Sequence, residues 1–256
     1  MSLDGALERK PADPEEDQQR DERQAGSSGK AIARMQEGKL LAPDGLDHRR
    51  LIHARLRDHR QIDQVRELRT NVLTRAGNPN PVLMVTGVSS GCGASFMARN
   101  LAASIALDEE RTALLIDCNL RRPSLAAEFS LSADAPGLID IFGGKEANLA
   151  HVIHATGVPR LRLIPAGQGS GRWIEFFASM RMCLMMQELR NRYDDRCLVI
   201  DAPPALGSPD ARILAGHADQ VILVVGEACH RAETIRRAAA VIPPERLAGV
   251  VFNHLP

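Results

Sequence analysis

Three stretches carry residues suited to phosphate and metal chemistry. The first is SSGCGAS, Ser89 to Ser95. The backbone N–H groups of Ser90, Gly91, Cys92, Gly93, Ala94 and Ser95 can cradle an anion, and the positive end of the helix that follows adds to their pull. Phosphate loops of this kind end G-K-[ST]. Here Gly93 and Ser95 flank Ala94, which stands where the lysine would be. Ser95 occupies the place of the hydroxyl that binds magnesium. The missing lysine would reach the outer phosphates through charge-assisted bonds worth about 1.5–3 kcal/mol each. Binding of ATP or ADP with Mg is therefore expected to be weak or absent. A tight glycine turn with no ligand accounts for the same residues.

The second and third stretches are LLIDCNLRRP and CLVIDAPP. Each is an apolar run ending in an acid, Asp117 and Asp201. A carboxylate at such a strand end can hold a metal ion or its water, and one facing a phosphate loop suits a magnesium-water acid. The plainer use of Asp after a strand is as a turn or cap residue.

These residues need a scaffold. From Pro81 onward, apolar runs of strand length (PVLMVTG, TALLIDC, LRLIPAG, CLVIDAPP, QVILVVG, AGVVFN) are mostly separated by helix-length segments. Those segments include SFMARNLAASIAL, RWIEFFASMRMCLMMQELRNRY and HRAETIRRAAAVI. Continuous apolar strands separated by helices predict a mostly parallel α/β sheet with helices on both faces. Ligands in such sheets sit beyond the carboxyl ends of the strands, where all three stretches fall.

The rest of the composition narrows the options. The chain has 256 residues, 44% hydrophobic and 25% charged, with zero formal net charge. That balance gives no support to capture of nucleic acid. Five scattered cysteines (Cys92, Cys118, Cys183, Cys197, Cys229) offer no metal or disulfide spacing, which fits a reducing cytoplasm. No apolar run approaches the roughly 20 residues that span a bilayer. Residues 1–45 are polar, charged and free of aromatics, and are expected to form a disordered tail. Residues 46–80 contain apolar positions Leu56, Ile62, Val65, Leu68, Val72 and Leu73 near helical spacing. Residues 81–256 make the phosphate-loop-type domain.

From about Asp63 to Asn253 the chain resembles the cytoplasmic domain of bacterial tyrosine autokinases of capsule and exopolysaccharide synthesis. These belong to the wider class of P-loop ATPases that includes the MinD and ParA types. SSGCGAS aligns with the family's phosphate loop, LLIDCNLRRP with its second acidic motif, usually LLIDADLRRP, and VIDAPP with its third. GLIDIF and LIPAG align with connecting segments, and Asp210 in SPDAR with a following acid. The resemblance implies an oligomer contact through Asp63, Arg66 and Arg69 in RELRTNVL and its preceding turn, matching E-x-x-R-x-x-R. It places Asn253 near the adenine, Ser95 and Asp201 on Mg, and Asp117 and Asp201 as the catalytic acids. A charged helix face packed only on its own domain is the plainer reading of Asp63, Arg66 and Arg69.

The departures bear on activity. Ala94 replaces the lysine and Asn119 the second acid of the second motif. The family's usual terminal tyrosine cluster is missing, and the sole tyrosine, Tyr193, reads as a partly buried anchor. The leading expectation is a catalytically degenerate kinase homologue that regulates or scaffolds polysaccharide assembly. It would act as a homo-oligomer or with a homologue, docked on a membrane polysaccharide co-polymerase (chain-length determinant) at the inner face of the membrane, without nucleic acid. The alternative is an active tyrosine kinase or ATPase that recruits Arg99 or a neighbour's arginine in place of the lysine. A positioning ATPase fits less well, since RELRTN and LRRP are foreign to that class.

Overall fold

The apolar runs pair into one seven-stranded sheet, seen in a computed structural model that describes residues 40–56, 59–146, 148–169, 173–192 and 195–254. The strands are β1 (Val82–Gly87), β2 (Thr112–Asp117), β3 (His154–Ala155), β4 (Leu161–Ile164), β5 (Arg196–Asp201), β6 (Gln220–Gly226) and β7 (Leu247–Asn253). Their order is β3-β4-β2-β5-β1-β6-β7. All pairs are parallel except the short β3–β4 pair. Every residue of β1, β2, β4, β5 and β6 is buried. That explains why these strands read as unbroken apolar runs rather than alternating ones. β7 lies at the edge and keeps Val250 and Phe252 exposed.

The helices are α1 (Pro43–His48), α2 (His59–Ala76), α3 (Ala94–Ala106), α4 (Leu125–Glu128), α5 (Leu138–Phe142), α6 (Trp173–Phe177), α7 (Met180–Asn191), α8 (Asp210–Ala215) and α9 (Ala232–Ala239). α3 is the central one. Met97 through Ala106 are all buried, and the helix packs on β1, β2 and β5. Its small residues bring it close to the sheet. α2 lies over α3 and β6, burying Ile62, Val65 and Val72.

Several expectations are corrected. Residues 1–39 of the expected tail lie outside the described residues. Residues 40–45 do not behave as tail, because the Leu41 N–H donates to Gly157 O at 2.8 Å and α1 straddles the expected boundary. Within residues 46–80, where helical spacing is expected, the long helix described is His59–Ala76. Ahead of it, Leu51 and Ile52 are buried, and the Ile52 N–H donates to Asn100 Oδ1 at 2.8 Å. The described part of the RWIEFFASMRMCLMMQELRNRY segment, residues 173–192, is two helices, Trp173–Phe177 and Met180–Asn191, rather than one. Ser179 caps the second, its hydroxyl accepting from the Met182 N–H at 3.3 Å. Tyr193 lies outside the described residues, as does Pro256. β3 had no sequence signal, being only two residues long.

Candidate functional site

β1 delivers the chain into the turn Val88–Gly93, and α3 leaves it. Gly91 and Gly93 take φ of 87° and 85°, a left-handed conformation that L side chains disfavour by about 1–2 kcal/mol. Gly93 in that conformation is the residue before the first turn of α3, so the free N–H groups of that turn open into the loop. The loop and Ser95 border a cavity of about 280 Å³, with Asn119, Arg122, Ala202 and Pro204 opposite. The sequence-expected cradle Gly91, Cys92, Gly93, Ala94 and Ser95 therefore forms as one surface.

Beneath it stand the two acids. Asp117 and Asp201 end adjacent parallel strands and are direct partners in the β2–β5 register. Both are fully buried. Asp117 accepts from the N–H groups of Asn119 (3.2 Å), Ser124 (3.2 Å) and Leu125 (3.1 Å). Burial nevertheless wins and raises its pKa from the ordinary 3.8 to about 6, against the lowering by those three donors. Asp201 is pushed well above the usual carboxylate range, first by burial and then by the Asp117 charge, with the Ser95 hydroxyl opposing. Among the described residues no hydrogen bond of normal geometry reaches either Asp201 carboxylate oxygen. Two like-charged buried carboxylates, one with orphaned oxygens, fit a divalent cation. The donors at hand for Mg are Asp201, Ser95 and Asp117. No group of three or more His, Cys, Asp or Glu suited to a metal exists among the described residues, so phosphate or water oxygens would complete the shell.

The charge that would balance this pair is absent from the loop. Ala94 is half-buried at the start of α3. Arg99 does not replace the lysine. It is buried along α3, paired with Glu128 through Nη1 and set over the Phe96 ring at 5.3 Å. The cation that does reach the loop is Arg122, whose Nη1 donates to Ser90 Oγ at 3.1 Å. Sequence reasoning gave Arg122 no role, and only its place in LRRP marked it. The neighbouring Arg121 turns away to Asp210 Oδ2 at 3.3 Å.

Asn253 borders not this cavity but a second one, of about 800 Å³, which Phe96 also borders. Its Nδ2 donates to the Cys92 carbonyl at 3.2 Å. Ser89, Cys92 and His230 meet on the loop's other flank, another grouping without a sequence signal. Asp63, Arg66 and Arg69 lie on α2, away from the cavity. Asp63 and Arg66 are exposed, while Arg69 Nη1 donates to Ser104 O at 2.8 Å and so pins α2 to α3.

A glycine-turned loop between a central parallel strand and a buried helix, with acids on the neighbouring strand ends, defines the P-loop NTPase-like class. A ParA family ATPase from Chlorobium tepidum shares the fold, with a TM-score of 0.52 at 19% identity over 68% of this chain and 74% of that one. More specific is the likeness to the tyrosine-protein kinase CpsD of Streptococcus agalactiae, 30% identical over 80% of this chain and 88% of that protein. The solved BceF tyrosine kinase domain superposes with a TM-score of 0.70 at 29% identity, over 95% of this chain and 98% of that one. The chain belongs to the bacterial tyrosine-protein kinase family. It spans 27% of the length of the first curated relatives it matches, which are longer tyrosine-protein kinases. No protein-family model matches it.

Proposed function

We propose that this chain is a catalytically degenerate member of the family that regulates or scaffolds exopolysaccharide or capsule assembly. The observation that carries the reading is the charge at the loop. Ala94 stands in the lysine's place, and Arg99 is held by Glu128. Phosphoryl transfer depends almost wholly on positioning and on cations that meet the developing charge. A loop with no lysine of its own, offering backbone N–H groups and the Ser95 hydroxyl, lacks much of that. When bound, Mg would neutralise phosphate charge, while Ser95, Asp117 and Asp201 would hold it or its waters. The test is a Mg-ATP titration on the purified protein by calorimetry, followed by an anti-phosphotyrosine blot. No heat at micromolar ATP and no phosphotyrosine are expected. Micromolar affinity or autophosphorylation overturns the reading.

The partner expected is the cytoplasmic end of a membrane polysaccharide co-polymerase, which would hold the chain at the inner face of the membrane. No helix among the described residues is long and apolar enough to cross a membrane. Deletion should alter surface polysaccharide, and a variant carrying Asp117→Ala and Asp201→Ala should restore it. If that variant behaves as the deletion does, the nucleotide site is in use.

A second reading rests on Arg122. An arginine bordering the cavity 3.1 Å from Ser90 Oγ is a substitute cation, and an active ATP-binding kinase would need one. In that case Arg122→Ala abolishes any nucleotide binding that the titration detects.

A further inference from the structure

The flank of the phosphate loop opposite Arg122 carries two thiols and an imidazole that the nucleotide reading does not use. His230 Nε2 lies 3.0 Å from Ser89 Oγ and 3.5 Å from Cys92 Sγ. The Cys92 sulfur also receives the Ser89 N–H at 3.5 Å. Cys92 is buried, whereas Cys229, one residue before His230, is exposed. The two cysteines border the same glycine. A Cβ placed on Gly226 would stand 2.9 Å from Cys229 Sγ and 3.6 Å from Cys92 Cα. Both thiols are free, and the turn 227–229 that carries Cys229 is exposed and joins β6 to the segment before α9.

We propose that Cys92, Cys229 and His230 form a peroxide-responsive dithiol site that locks the phosphate loop. The exposed Cys229 reacts first. Its thiolate attacks one peroxide oxygen, the O–O bond breaks, and protonation of the departing hydroxide gives water and a Cys229 sulfenic acid. Cys92 then acts from inside the fold, so its burial is no obstacle. Its proton passes to His230 Nε2, and its sulfur attacks the Cys229 sulfur. Hydroxide leaves and takes the proton back from His230 as a second water. The two thiols together lose two electrons and peroxide gains them. A disulfide of this exposed, turn-borne kind suits a transient redox role rather than a structural one. It ties the stretch between Gly91 and Gly93 to the β6–α9 turn, and so fixes the anion cradle by a covalent bond that a thiol reductant reverses. The site works without nucleotide, so it stands whether or not the loop binds ATP.

The reduced full-length chain is treated with hydrogen peroxide, remaining thiols are alkylated, and peptides are mapped by mass spectrometry. A linked Cys92–Cys229 peptide that dithiothreitol dissolves is the expected result. Cys229→Ser removes it and leaves Cys92 alkylated. His230→Gln slows its formation about tenfold, because an unassisted thiol is only a few per cent thiolate at neutral pH. The same His230→Gln change leaves sulfenic acid formation on Cys229, trapped in a Cys92→Ala background, at its original rate. Recovery of alkylated Cys92 beside an oxidised Cys229 overturns the proposal, as does a Cys229–Cys229 bond between two copies. An unchanged rate in His230→Gln removes the imidazole from it.

Discussion

The phosphate loop and the acid pair beneath it have fared differently. In the loop the glycine-turned conformation is present although Ala94 stands between Gly93 and Ser95. Gly91 and Gly93 keep left-handed φ values, and those depend on the absence of a side chain and not on any charge. The acid pair depends on charge balance. Asp117 and Asp201 stand side by side in the register, where burial raises both carboxyls and the Asp117 charge raises Asp201 further. Backbone shape is a local property and persists through a substitution nearby. Electrostatic balance is a property of the whole cluster and shifts with each charge that joins or leaves it.

The largest test of this contrast is pH. The unfolded chain releases the Asp117 proton near its ordinary 3.8 and the folded chain near 6. Between those values the folded state holds more protons at Asp117, so this group's contribution to stability is fully present below about pH 4 and is lost as pH rises through 6. A shift of that size amounts to about 3 kcal/mol. Urea unfolding of the wild-type chain should show this loss, and Asp117→Asn should flatten the curve over the same window. Asp201, raised further, extends the decline to higher pH in the same direction. A stability difference between wild type and Asp117→Asn that does not fall from pH 4 to 6 would break the comparison.

Next in size is Ala94→Lys. It returns the cation to a loop whose shape is intact, so ATP affinity should rise about 10- to 100-fold, read by calorimetry. The same variant should lose less stability between pH 4 and 6, since the ammonium offsets the acids. No gain in affinity would mean that the cavity has been remodelled beyond one side chain. Gly93→Ala probes the other side of the contrast. It places a Cβ at φ 85° and should cost about 1–2 kcal/mol in a thermal melt, with no dependence on pH. The smallest effects belong to α2. Arg69→Ala gives up the bond to Ser104 O and should cost about 1 kcal/mol. Arg66→Glu on the exposed face should leave stability unaltered and lower the mass seen in light scattering if that face joins subunits.

Legibility followed the same division. The buried strands could be read because burial on both faces keeps them mostly apolar, with few exceptions such as Thr86 and Gln220, and their ends located Asp117 and Asp201. The break before Met180 was missed because Phe176, Phe177 and Met182 continue an apolar helix pattern across Ser179. β3 was missed because two residues carry no period. Arg122 beside Ser90, His230 beside Cys92 and Asn253 beneath the Cys92 carbonyl were invisible for a common reason. Each joins segments far apart in the chain, and spacing along a sequence does not encode such a meeting. Arg69 was read as a contact for another subunit, and in this chain it reaches Ser104 on its own α3.

The place of β1 in the sheet has a consequence for how the protein is made. β1 is the first strand of the sheet to leave the ribosome, yet its two neighbours are β5 and β6, with Leu83 opposite Val199 on one side and Gln220 on the other. Both lie in the far half of the chain. The nascent loop therefore emerges early and waits, its apolar strand unpaired, through most of synthesis. Pairing over such sequence distances is slow and leaves sticky edges open in the meantime. A ribosome stalled before Arg196 would display the entire SSGCGAS segment with neither of β1's neighbours, β5 and β6, yet made. The newborn chain is thus most exposed to aggregation and to chaperone capture during the interval in which its most recognisable motif is already complete.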